Sequence, residues 1–138
     1  MKFKALMLTL VLLLPGCLDS EGEEIRFNGR NLEGSDVYMF TLEDSKGPLW
    51  NLTEQEGKVV VLAFIFTRCD NTCPVTSQNL KVVYESLTED ELTKVSFVSV
   101  TVDWRHDSPS ELNNWSDRMG YDWPHLTGAK QALDPVYE

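Results

Sequence analysis

An α/β fold is what this sequence predicts, on three observations. Residues 59–66 (VVVLAFIF) form a continuous apolar, β-branched run, the pattern of a strand buried on both faces. Leu80, Val83, Tyr84 and Leu87 follow at i, i+3, i+4 and i+7, one face of a helix. Residues 95–102 then alternate, with Val98, Val100 and Val102 on one side and Val95 and Phe97 on the other, the period of a second strand. Strand, helix and strand of these lengths imply a parallel β-α-β unit with a right-handed crossover. The first strand, apolar on both faces, belongs in mid-sheet with helices packed on either side.

From the N-terminus, Lys2 and Lys4 precede an apolar run at residues 5–14 that is too short to span a bilayer as a mature helix. Residues 1–16 therefore read as a signal peptide. The segment ends Leu13-Leu14-Pro15-Gly16-Cys17, a small residue directly before a cysteine, and resembles the lipobox of prokaryotic lipoproteins. That resemblance implies Cys17 as the lipid-bearing first residue of the mature chain. The other readings are an ordinary signal peptide and an uncleaved anchor; all three place the domain outside the cytoplasm. Residues 17–35 hold this cysteine and an acidic stretch (DSEGEE, 19–24) without apolar periodicity, which reads as a flexible tether. The remainder, 36–138, has the length of one domain. The net charge of −10 argues against nucleic acid as a partner, since phosphate recognition requires basic surface.

Within the domain, Val37, Met39, Phe40 and Leu42 run into Asp44-Ser45-Lys46-Gly47-Pro48, a cluster of turn formers, and residues 49–52 resume the apolar character. A β-hairpin across 45–48 is expected. Pro74 suits the first position of the helix after the buried strand. Residues 88–93 are acidic and turn-like. Ser108-Pro109-Ser110-Glu111 is a capping box with proline at the first helical position. Leu112, Trp115, Ser116 and Met119 continue in helical register until Gly120 stops it. Residues 121–128 are irregular and aromatic-rich, and 131–137 begin a helix into which Pro135 intrudes. Trp104, Trp115 and Trp123 are expected in the core.

The chemistry concentrates in residues 66–74, FTRCDNTCP. Cys69 and Cys73 stand at a strand-to-helix turn, where the helix N–H groups point outward and favour thiolate. Functional groups of parallel sheets gather at these carboxyl ends of strands. Three chemistries are open to such a pair: binding a soft metal, cycling between dithiol and disulfide, or forming a structural bridge. With Cys17 assigned to lipid, an even pair remains in a compartment where disulfides persist, so the pair must be reduced before it holds a metal. Thiolates suit Cu(I), whereas a structural zinc site takes four protein ligands. A thiol-disulfide oxidoreductase is the main rival, although such enzymes usually place two residues between the cysteines rather than three. His106 and His125 are each isolated and read as surface or partly buried imidazoles. The loop carrying His106 neighbours the cysteines in the expected fold, which makes His106 the candidate for a further ligand beside them. Asp103 and Asp107, at the end of the second strand, either tune the thiols and orient a partner or cap the following helix.

A buried strand running into thiols at a helix start, preceded by a hairpin, resembles the thioredoxin superfold. Phe66-Thr67-x-Cys69-x-x-x-Cys73-Pro74 further resembles the signature of the Sco/SenC family of extracytoplasmic copper-binding proteins. Val98-Ser99-Val100-Thr101-Val102-Asp103, then Asp107-Ser108-Pro109, and the segment ending Leu126-Thr127-Gly128 match in the same order, so the similarity covers roughly 36–137. The resemblance implies a thioredoxin-like fold (hairpin, then β-α-β-α) and copper, as Cu(I) or Cu(II), held by Cys69 and Cys73. It implies a Cys69–Cys73 disulfide when oxidised. The expected role is a metallochaperone rather than an enzyme, lipid-anchored at the extracytoplasmic face of the cell membrane. It would assist assembly of the copper centre of cytochrome c oxidase, with an oxidase subunit or another copper protein as partner. The alternative is a thiol-disulfide oxidoreductase with Cys69 and Cys73 as its redox pair and no metal role. Asp70 stands where the family usually has proline. The family's third ligand is a histidine on a later hairpin, and the final two strands and helix of the fold have no residues in this sequence, so a C-terminally truncated chain is expected.

Overall fold

The structure, a computed structural model, describes residues 29–30 and 35–138. The chain divides into Met1–Ser35 and Asp36–Glu138, and every described strand and helix belongs to the second unit. The signal segment, Cys17 and the acidic stretch lie outside the described residues.

Strands β1 (Thr41–Asp44) and β2 (Leu49–Asn51) form the expected antiparallel hairpin, with Leu42 opposite Trp50. Its turn is closed by the Lys46 N–H donating to Asp44 Oδ1 at 3.3 Å. Pairing begins only at Thr41, and Val37, Tyr38 and Met39 before it are exposed. Strands β3 (Val59–Ile65) and β4 (Val95–Thr101) are parallel, in register from Val59 opposite Val95 to Ile65 opposite Thr101. A short strand, β5 (His125–Thr127), lies between β4 and β1, parallel to the former and antiparallel to the latter.

Among the described residues the sheet order is β2-β1-β5-β4-β3, so β3, expected in mid-sheet, stands last in the order. Among the described residues β3 pairs only with β4, and Val59 and Phe64 are exposed. An apolar run reports that the faces of a strand are covered and says nothing about its edges. Both faces of β3 do contact core. Val61, Ala63 and Ile65 join a cluster with Phe97, Leu112, Trp115, Tyr121 and Trp123, while Val60 and Leu62 join a second with Leu42, Trp50, Val98, Val100 and Leu133.

Helices α1 (Thr72–Ser86) and α3 (Pro109–Met119) supply the first cluster, and α4 (Lys130–Tyr137) supplies the second. The buried face of α1 runs Cys73, Ser77, Leu80, Tyr84, with Leu87 just beyond; Val83, expected inside, is half exposed. The helix starts two residues earlier than Pro74 suggested, which places the proline in the first turn, where its missing N–H has no intrahelical partner to lose. The 88–93 stretch contains a short helix, α2 (Glu89–Leu92), closed by a reciprocal Thr88/Glu91 capping box that the acidic composition obscures. Ser108 caps α3 as expected, its hydroxyl accepting from the Glu111 N–H, and Gly120 ends the helix at φ 66°, a left-handed conformation that favours glycine. Pro135 is accommodated within α4, which is held by buried Leu133 and by the Tyr137 hydroxyl donating to the Thr101 carbonyl at 2.6 Å. Trp115 and Trp123 are in the core, but Trp104 is partly exposed with the Arg105 guanidinium 5.1 Å above its ring.

Candidate metal centre

The thiols sit where β3 ends and α1 begins. Past Ile65, whose carbonyl takes the last ladder bond from the Val102 N–H at 2.8 Å, the chain leaves the sheet. It turns at once, with the Cys69 N–H donating to the Phe66 carbonyl at 3.2 Å. Cys73 lies in the first turn of α1, and its N–H donates to Cys69 Sγ at 3.2 Å. The helix terminus therefore aims one of its unpaired donors at the first sulfur. The Cys69–Cys73 bridge implied by the resemblance is not formed: both cysteines are free thiols.

Their environments differ. Cys69 is partly exposed, and hydrogen bonds from the Cys73 side chain and backbone hold its pKa below the usual thiol value. Cys73 is buried in the cluster that holds Ile65, Phe97 and Leu112, and desolvation, with the adjoining Cys69 sulfur, pushes its pKa up. The pair thus combines a partly exposed sulfur that accepts a helix N–H with a buried one. Such a pair can present soft ligands to a thiophilic ion or exchange with a disulfide.

Around the thiols the β4–α3 loop supplies two carboxylates. Asp107 is completely buried. It accepts the Thr67 N–H on Oδ2 at 3.1 Å, the Thr67 hydroxyl on Oδ1 at 2.5 Å and the Thr101 hydroxyl on Oδ2 at 2.5 Å. Its backbone carbonyl accepts the Thr127 hydroxyl at 2.8 Å. Helix capping, one of the two roles foreseen for Asp107, belongs instead to Ser108. Asp103 accepts from Arg68 Nη2 at 2.9 Å and from His106 Nδ1 at 2.8 Å, and Arg68 first, then His106, hold its carboxyl below the usual range.

The two histidines have different surroundings. His106 is engaged by Asp103 through Nδ1. His125 is fully buried among Trp115, Tyr121 and Trp123. Among the described residues no group of three or more His, Cys, Asp or Glu side chains is gathered that could hold a metal ion, so neither histidine joins the two thiols in such a group. What sequence reasoning missed is the threonine set, Thr67, Thr101 and Thr127. Each ends a strand or follows one, and only the position of Asp107 reveals their shared partner.

The SCO1/SenC family model matches residues 31–138. The solution structure of apo Sco1 from Thermus thermophilus superposes with a TM-score of 0.71 at 30% identity, covering 83% of this chain and 66% of that one. Copper-bound ScoI from Bradyrhizobium japonicum gives 0.66 at 20% identity, over 75% of this chain and 68% of its own, a likeness of fold. BsSco, described as having a disulfide switch and as a member of the Sco family of cytochrome c oxidase assembly proteins, gives 0.60 at 27% identity over 72% and 59%. The chain spans about half the length of the curated SCO1 and SCO2-like relatives it matches, 51% and 47% of the first two. The thioredoxin-like fold implied by the sequence is thereby shared with solved Sco structures.

Proposed function

This chain belongs to the SCO1/SenC family, and on that premise we propose that it is a copper-binding protein that assists assembly of the copper centre of cytochrome c oxidase. In this reading it works at the extracytoplasmic face of the membrane, tethered through a lipid on Cys17. Cys69 and Cys73 receive copper as cargo and pass it to a cysteine-bearing site on an oxidase subunit or another copper protein. The observation that carries the reading is the Cys73 N–H on Cys69 Sγ, which sets two thiols at one helix start with the first accessible and acidified. Soft sulfur donors in that arrangement favour Cu(I) over harder divalent ions. Titration of the reduced chain with Cu(I) against a competing chelator tests it. One equivalent bound, and binding abolished in Cys69→Ala and Cys73→Ala, is the expected result. Binding that survives loss of both cysteines overturns the assignment.

The split between the thiols supports a second reading, a thiol-disulfide oxidoreductase. Here the Cys69 thiolate attacks a substrate disulfide and expels one substrate thiol. The Cys73 thiol then loses its proton and attacks Cys69 Sγ, closing the Cys69–Cys73 bridge and releasing the second thiol. This reading requires turnover of a disulfide substrate that copper chelators leave unchanged.

A further inference from the structure

Beyond Ile65 the β3–β4 ladder has ended, so the Thr67 N–H has no strand partner; the Asp107 carboxylate takes that role. A buried carboxylate is costly unless its oxygens are satisfied, and Asp107 meets that condition with donors from two segments. Thr67 donates twice, from its N–H and its hydroxyl, and lies two residues before Cys69. The other grips hold Asp107 itself: Thr101 ends β4, Thr127 ends β5, and Ser108 next along the chain caps α3. From Thr67 the chain passes through the Phe66–Cys69 turn directly to the sulfur that receives the Cys73 N–H. The carboxylate therefore sits between a rigid frame of strand ends and the start of the thiol loop.

We propose that Asp107 is a positioning residue for the thiol pair, fixing through Thr67 where Cys69 Sγ lies relative to the first turn of α1. The proposal rests on Cys69 and Cys73 being the functional centre and does not require that their cargo be copper. Asp107→Asn keeps the shape but replaces one acceptor oxygen with a donor that faces donors already in place. Thr67→Val removes only the hydroxyl contact, and Thr67→Ser restores it.

The test uses the full chain and two measurements: Cu(I) affinity against a chelator, and the equilibrium of the thiol pair with glutathione. In the latter, the two thiols give up two protons and two electrons to oxidised glutathione, which is released as two thiols. Releasing the loop removes the N–H bond that stabilises the reduced pair, so Asp107→Asn shifts the equilibrium toward the disulfide. Cu(I) affinity falls about tenfold, the low end for partners that orient metal ligands. Thr67→Val moves both in the same direction by less, and Thr67→Ser returns both to the unsubstituted values. Ser99→Ala, which removes the buried bond from Trp123 Nε1 at 2.9 Å, lowers the melting temperature while leaving both readings in place. The proposal is overturned if Asp107→Asn and Thr67→Val melt lower yet keep both readings, or if Ser99→Ala shifts them equally. Should the unsubstituted chain fail to bind Cu(I), the copper reading falls and the glutathione equilibrium alone decides on Asp107. Should Asp107→Asn fail to fold, the Thr67 pair decides.

Discussion

Asp107 and His125 are both completely buried ionisable side chains, and they are buried on opposite terms. Asp107 sits at the carboxyl ends of three strands with three donors on its carboxyl oxygens, so those oxygens are satisfied by hydrogen bonds that replace water. His125 lies inside the aromatic cluster, in edge contact with Trp115 at 5.5 Å and tilted against Trp123 at 5.6 Å. Neither of its ring nitrogens has a hydrogen-bond partner, and the Tyr121 hydroxyl beside it has none either. The contrast separates two uses of a buried polar group. One is wired into the loop that carries the thiols, and the other is tolerated as an aromatic ring provided it stays neutral.

The largest effect expected from breaking this contrast is at Asp107. Replacement by alanine leaves the Thr67 N–H and the Thr67 and Thr101 hydroxyls without an acceptor in a dry site. At about 1–3 kcal/mol for each orphaned buried donor, with partial relaxation of the hydroxyls, Asp107→Ala should cost about 4 kcal/mol. Urea unfolding followed by tryptophan fluorescence measures it. A loss below about 1 kcal/mol would mean that water enters and replaces the carboxylate.

The next effect comes from acid. Burial lowers the His125 pKa from 6.5 to about 4; the backbone of Tyr121 opposes part of that shift without meeting hydrogen-bond geometry, and Lys46 adds to it. The folded state thus resists the proton that the unfolded chain accepts. The resulting stability is fully present above pH 6.5 and is lost as pH falls from there through about 4. Over the whole window this amounts to roughly 3 kcal/mol. Glu91 and Asp103, whose carboxyls are held low by hydrogen bonds to Thr88 and Arg68 respectively, add their own losses only near and below their ordinary values of 4.5 and 3.8. Denaturant midpoints measured between pH 6.5 and 5.5 therefore isolate the histidine. A flat profile there would show that His125 takes up a proton in the folded chain.

The two sites also differ in how far the sequence disclosed them. The thiol pair was legible because a long apolar strand, a fixed spacing and a proline converge on it, and α3 because Ser108, Pro109 and Gly120 are local signals with local causes. Asp107 was legible as a residue but not in its role. Placed before Ser-Pro it reads as part of a helix cap, and its partner Thr67 stands 40 positions away, a distance that only tertiary structure closes. His125 was hidden in a stretch without periodicity, because β5 is three residues long and takes its existence from β4 and β1 on either side. The outward turn of Val83 escaped for a related reason. Periodicity gives the angle of a face, but what covers that face or edge is decided by the rest of the fold.

The smallest effect has the opposite sign and is the sharpest test of the contrast. If His125 is held as an unpartnered neutral ring, a phenylalanine there keeps the aromatic contacts with Trp115, Tyr121 and Trp123 and removes two nitrogens that no group satisfies. Buried polar atoms without partners cost more than the apolar atoms that replace them, so His125→Phe should raise stability by about 1 kcal/mol at pH 7. The gain should widen at pH 5, because the substituted chain no longer has the acid-sensitive group while the unsubstituted one is losing stability through it. Paired urea titrations at the two pH values read both quantities. A destabilisation of more than about 1 kcal/mol at pH 7 would indicate that a buried water, bonded to the imidazole and within reach of the Tyr121 hydroxyl, completes the site. His125 would then resemble Asp107 in kind, and the division between the wired and the tolerated polar group would fall.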